Sequence, residues 1–262
     1  MEYVVVSIAA LIVSALTLFS GFGLGTLLMP VFAMFFPLKI AIASTAVVHL
    51  ANNLFKVVLL GKKANMRVVF SFAVPGIIFA LLGAYLLTFL SDLTPVGEYT
   101  LGSRVFKIYP VKLVIALLIF VFSLFELIPY FERIAFDRKY LPAGGALSGF
   151  FGGLSGHQGA LRSAFLVKAG LEKEVFLGTG VVCAVLVDFS RLIVYGTSFF
   201  SKEFKAVSVY GGVEIVIIAT LAAFIGSFLG TRLVKKMTIS TIQQIVGGML
   251  MLLAIILGLG LV

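Results

Sequence analysis

Long, nearly uncharged apolar runs recur along this chain and leave it few folds to choose from. They lie at Tyr3–Phe19, Ile40–Leu60, Val68–Leu90, Leu113–Leu127, Leu141–Leu154, Val175–Tyr195, Val207–Leu233 and Ile245–Val262. About 20 apolar residues, wound as a helix, cross the hydrocarbon core of a bilayer. Composition agrees: 61% of the 262 residues are hydrophobic and only 12% are charged, where a soluble domain is about half apolar and a quarter charged. Too little polar surface is left to face water, so lipid is the expected solvent and the expected class is an all-α integral membrane protein. The net charge of +9 sits mostly between the runs, where the positive-inside rule accounts for it, and it does not point to nucleic acid. Cys183 is the one cysteine, which excludes an internal disulfide and a thiolate metal cluster. Met1 and Glu2 supply no basic leader, so the first run is expected to stay in the membrane.

Two pieces, Thr26–Phe36 and Ala160–Val167, are too short to cross alone, and each follows a glycine-rich break. The breaks are Ser20-Gly21-Phe22-Gly23-Leu24-Gly25 and Ser155-Gly156-His157-Gln158-Gly159. Irregular backbone at membrane depth is tolerated only when buried in protein or lining a cavity. Gly25 and Gly159 are 134 positions apart, and an offset of 135 then places Ser44-Thr45 on Thr179-Gly180, Asn53 on Asp188, Lys56 on Arg191 and Gly61 on Gly196. The chain therefore reads as two copies, residues 1–131 and 141–262, joined by a charged linker at 132–140. Each copy is expected to hold a broken, re-entrant helical hairpin followed by three full transmembrane helices. An odd number of crossings per copy makes the second copy inverted. Under that arrangement eleven basic residues share one side, among them Lys62, Lys63, Arg67, Arg138, Lys139, Lys168 and Lys173, against six on the other. The richer side is read as cytoplasmic, with both termini outside.

Polar residues inside the runs are grouped rather than scattered. His49, Asn52, Asn53 and Lys56 stand at i, i+3, i+4 and i+7 of one run, and Asp188, Arg191 and Tyr195 at i, i+3 and i+7 of its counterpart. Such spacing puts each set on one helix face, and a polar stripe in a bilayer helix faces a water-filled cavity or a partner helix. The breaks add unpaired backbone N–H groups carrying about half a positive charge at each new helix start, a device by which transporters hold anionic substrates near the midplane. Gly23, Gly25, Thr26, His49, Asn52, Asn53, Lys56, Gly156, His157, Gln158, Asp188 and Arg191 form the candidate anion-binding set. Blander readings stay open beside this one. Lys56 could snorkel to the headgroups, Asp188 and Arg191 could neutralise each other, and the glycines could serve close helix packing alone. Arg162, aligned with apolar Leu28, is a further anion contact or a partner for Asp188. Glu126 and Glu214 are the remaining acids within apolar runs, and Pro75 predicts a kink. No hydrolase elbow, metalloprotease motif or P-loop is present, so no catalytic residue, metal or cofactor is expected.

The run Gly21-Phe-Gly-Leu-Gly-Thr-Leu-Leu-Met-Pro30, with Ala43-Ser44-Thr45 and the basic Gly61-Lys-Lys turn, resembles the opening of the TauE/SafE sulfite exporter family. Gly149-Phe-Phe-Gly-Gly-Leu-Ser-Gly156 through Gly178-Thr179 is similar to that family's repeated half. The resemblance implies a multi-pass exporter in the bacterial inner membrane, with sulfite or a sulfonate such as sulfoacetate as substrate. His157-Gln158 stands where such patterns usually carry more glycine, a departure that suits a larger anion with a polar group of its own. A homodimer is compatible with the large apolar surface.

Overall fold

A computed structural model describes residues 2–17, 24–128, 130, 135–200, 212–233 and 239–261. Nearly all of this is helix, as chain segments surrounded by lipid require, because helices bond their own backbone groups. In chain order the helices are α1 (Glu2–Thr17), α2 (Leu24–Ala33), α3 (Leu38–Leu60), α4 (Met66–Ser91), α5 (Pro110–Leu127), α6 (Leu141–Ser155), α7 (Gly159–Leu166), α8 (Lys173–Tyr195), α9 (Gly212–Leu233) and α10 (Ile239–Gly258). Local signals set several boundaries. Asn65 caps α4 by accepting from the Val68 N–H at 3.2 Å, and Pro110, with its fixed φ, occupies the first turn of α5. α4 continues through Pro75.

Among the described residues, α3, α4, α5, α8 and α9 are long and apolar enough to cross a membrane. The sixth expected crossing is α10, whose described apolar stretch, Gly247–Gly258, is shorter. The two expected short pieces are α2 and α7, at 10 and 8 residues. α7 turns back along α6: a Cβ on Gly144, in the first turn of α6, would overlap the Phe165 ring near the end of α7.

Partners match when the two halves are exchanged. α1 packs on α9 and α6 on α4; α4 packs on α8 and α9 on α3; α3 meets α8, and α5 meets α10. The α4–α6 and α1–α9 contacts are close because glycines face backbone. On α6, Gly145, Gly149 and Gly153 oppose the carbonyls of Phe72, Gly76 and Ala80; on α9, Gly226 and Gly230 oppose those of Leu11 and Ala15. Small residues bring backbones together where no hydrophobic force drives helices to associate. A Cβ at Gly149 would collide with the Gly76 carbonyl, and backbone on both sides cannot yield as a side chain would. Gly149→Val is expected to lower stability by about 1–3 kcal/mol or more, read as a lower melting temperature in detergent.

One element departs from the all-helical expectation. Gly97–Leu101 and Arg104–Ile108 form an antiparallel hairpin, β1 and β2, in the connection between α4 and α5. Its tight turn uses Gly102 at φ +63°, a conformation that suits glycine. Tyr99 and Phe106 stack with ring centres 5.3 Å apart, and the Tyr99 hydroxyl donates to the Leu259 carbonyl at 2.7 Å, fastening the hairpin beyond the end of α10. Ion pairs mark the two ends of the bundle: Lys39 with Asp92 at 2.9 Å on the hairpin end, and Lys63 with Glu174 on the other.

Candidate functional site

α3 and α8 cross antiparallel, the Gly178 backbone of α8 lying against the Leu60 carbonyl of α3. This crossing lays the two polar stripes of the sequence against each other. Asp188, fully buried, is the centre. Its Oδ1 accepts from Arg191 Nη2 at 2.7 Å, Arg191 Nε at 3.0 Å and Gln158 Nε2 at 2.8 Å. Its Oδ2 faces His49 Nδ1 at 2.6 Å and accepts from Asn53 Nδ2 at 3.3 Å. One carboxylate thus joins a helix of the first half to a helix and a break of the second.

The second break is built around Gly156, whose φ of +84° closes α6 in the left-handed region. Its carbonyl accepts from the Gln158 N–H at 3.1 Å, and Ser148 Oγ on α6 donates to the Gln158 carbonyl at 2.9 Å. Gln158 is thereby aimed at Asp188, while its Oε1 accepts from Arg162 Nη1 at 3.3 Å. Arg191 Nη1 donates to the Gly152 carbonyl at 3.1 Å, and the Tyr195 hydroxyl donates to the carbonyl of Gly153. A Cβ at Gly156 would lie 3.1 Å from Arg191 Nη1. Gly156→Ala is expected to cost about 1–2 kcal/mol from the left-handed backbone alone and to push the guanidinium off Asp188; thermal stability in detergent checks the first effect.

Of the first break, Ser20 through Gly23 lie outside the described residues, so the placement of Gly23 is not part of this structure. Gly25, in the first turn of α2, is described. A Cβ there would sit 3.5 Å from His49 Cδ2 and 3.6 Å from the Gly156 carbonyl. The start of α2 and the tip of the second break therefore meet, with the His49 ring against them. Thr26, one residue on, is half-buried.

The other candidates are placed differently. Lys56 points inward, 6% exposed, about 10 Å further along α3 than His49 at 1.5 Å per residue. No ion pair reaches its ammonium among the described residues, and its charged neighbour is Arg162 on α7. Asn52 turns to another interface: Ser227 of α9 donates to its Oδ1 at 2.8 Å, while its buried Nδ2 has no hydrogen-bond partner among the described residues. His157 stacks on Phe122 of α5 at 5.6 Å and 7°, its Nδ1 3.0 Å from the Ser155 carbonyl and its buried Nε2 without a hydrogen-bond partner among the described residues. Ser227 and Ser148 were not singled out by spacing. The signal for Ser227 was present, since Ile225-Gly226-Ser227 aligns with Leu82-Gly83-Ala84 and carries a hydroxyl where the other copy has a methyl.

Burial of these charges is costly in lipid. The α3–α7–α8 cluster of described side chains holds Lys56, Arg162 and Arg191 against the single carboxylate of Asp188. The other buried acid, Glu126 on α5, packs against Gly247 of α10. No group of His, Cys, Asp and Glu among the described residues could hold a metal ion. The cluster offers charge and hydrogen-bond donors, a combination suited to binding an anion.

The family model of the sulfite exporter TauE/SafE matches residues 6–257, nearly the whole chain. The chain belongs to the TauE/SafE family. Transport across membranes of sulfite and related sulfur anions is what the TauE/SafE family implies, and its members are transporters rather than enzymes. A multi-pass membrane protein follows from the TauE/SafE match together with the apolar helices. No curated protein and no solved structure matches the chain in searches of either kind.

Proposed function

We propose that this chain is a secondary transporter that exports a small sulfur-containing anion, sulfite or an organosulfonate, across the bacterial inner membrane by alternating access. The observation that carries the reading is Lys56, a buried ammonium with no counter-charge bonded to it among the described residues, beside Arg162. A lone buried charge costs several kcal/mol, and an anionic substrate supplies what the fold withholds. The meeting of Gly25 with Gly156 supports a binding position at the helix tips, with His49, Asn53, Gln158, Asp188 and Arg191 around it. No nucleotide motif is present, which supports coupling to a gradient.

Two inverted repeats, at 1–131 and 141–262 around a linker at 132–140, are part of this reading. The exchange of packing partners between halves supports them, as does the return of α7 along α6, which suits a re-entrant hairpin. The end that carries Lys62, Lys63, Arg138, Lys139, Lys168 and Lys173 is then cytoplasmic.

The test is counterflow in proteoliposomes with sulfite, thiosulfate, sulfate, isethionate, sulfoacetate and taurine. Saturable, trans-stimulated flux of a sulfur anion is expected. Flux without trans-stimulation would make the protein a passive anion channel, since a channel cannot drive one solute uphill with another. Movement of taurine with no anion moved would remove the substrate class.

A further inference from the structure

His49 is the one side chain of the Asp188 cluster whose ordinary charge change falls near neutral pH, and it occupies the seam between the halves. Its Nδ1 lies 2.6 Å from Asp188 Oδ2. That carboxylate already receives four other hydrogen bonds, three of them on Oδ1, from Arg191 Nε, Arg191 Nη2 and Gln158 Nε2 and one on Oδ2 from Asn53. With these donors in place, His49 Nδ1–H takes the acceptor position left on Oδ2, and Asp188 has no room for a proton of its own. The open proton site is Nε2. Asn53 Nδ2, itself a donor, lies 3.3 Å from it, so the neutral imidazole with its proton on Nδ1 fits this structure.

The His49 ring also lies against the helix tips: a Cβ at Gly25 would sit 3.5 Å from its Cδ2 and 3.6 Å from its Cγ, and 3.6 Å from the Gly156 carbonyl, with Nε2 the ring atom bonded to Cδ2. The charged groups around the ring are Asp188 and Arg191 from α8, Arg162 from α7 and, about two turns further along α3, Lys56. α2 carries no ionisable residue, and those of α9 stand in its first turn, at Glu214, and near its end, at Arg232. His157 faces Phe122 and Ser155, and no carboxylate among the described residues is bonded to it.

We infer that His49 is the proton-coupling residue of the transporter, taking up a proton on Nε2 when an anion occupies the helix tips, so that anion and proton cross together and the anion's own outward gradient drives both. The inference rests on the transport reading above. A proton on Nε2 sets a positive charge beside the bound anion, and linkage makes the effect mutual: the anion raises proton affinity as much as the proton raises anion affinity. Release of either loosens the other, and the Asp188–His49 bond between α3 and α8 registers both.

The experiment uses proteoliposomes with a trapped pH dye and isethionate, thiosulfate and sulfate as probes, since these strong-acid anions carry no proton themselves. An inward gradient of the transported anion is expected to acidify the lumen by about one proton per anion, and calorimetry of anion binding in two buffers of different ionisation enthalpy to show the same uptake. In His49→Gln, which keeps an amide donor for Asp188, uptake on binding is expected to fall from about one proton to none and the pH dependence of affinity to flatten. Saturable wild-type flux without lumen acidification overturns the coupling, and so does a His49→Gln protein that retains proton uptake. If the variant fails to fold, the wild-type proton count decides alone. Absence of saturable flux for all three anions removes the transport reading and this inference with it.

Discussion

Lys56→Met is expected to reduce anion flux by about 10- to 100-fold while leaving protein yield and melting temperature near wild type. The magnitude follows from losing one charge-assisted contact to substrate, about 1.5–3 kcal/mol, converted at 1.4 kcal/mol per tenfold. Stability is expected to hold because the methionine fills the lysine stem's volume and removes a buried charge that no partner among the described residues neutralises. Removing such a charge is neutral or favourable. A snorkelling lysine would behave otherwise, its head in the headgroups and its loss silent for transport. Flux that survives Lys56→Ala combined with Arg191→Ala, at normal protein levels, would end the anion-site reading.

Asp188→Ala is expected to cause the largest loss of stability. It strips four hydrogen-bond partners and leaves the Arg191 guanidinium, 1% exposed, with the Gly152 carbonyl and the Tyr195 hydroxyl and no counter-charge among the described residues. Breaking a buried pair from one side costs about 3–5 kcal/mol, a large share of the 5–15 kcal/mol that holds a typical domain together. Little folded protein is expected in the membrane. Asp188→Ala with Arg191→Met takes both charges away and is expected to recover most of the yield, but not flux, because His49 and Gln158 lose the acceptor that orients them. A single Asp188→Ala protein with wild-type yield and melting behaviour would show that the network contributes little to folding.

These two experiments separate the roles of two residues that spacing alone treats alike. Lys56 and Arg191 stand at equivalent positions of the two copies. In the folded chain Arg191 spends three nitrogens on Asp188 and Gly152, so the pairing read as one possibility from the sequence is present here. Among the described residues no ion pair joins Lys56 to such an acceptor.

Hydropathy and periodicity alone marked the helices of this chain, the two short pieces behind glycine breaks, and the stripes His49–Lys56 and Asp188–Tyr195. Those properties are local: lipid forces any long apolar run into a helix, and 3.6 residues per turn fixes which side chains share a face. The hairpin at 97–108 escaped because its strands carry Glu98, Arg104 and Lys107 and resemble a polar connection. Its structure comes from stacking and from the bond of Tyr99 to Leu259, distant in sequence. Which faces meet was likewise undecided by spacing. That His49 reaches Asp188, that Asn52 turns to Ser227, and that Gly25 abuts Gly156 depend on how closely the helices approach; at the α3–α8 crossing the Gly178 backbone lies against the Leu60 carbonyl. A stripe on one helix names the groups available for binding, but only the crossing of two helices determines which charges cancel and which remain for a ligand.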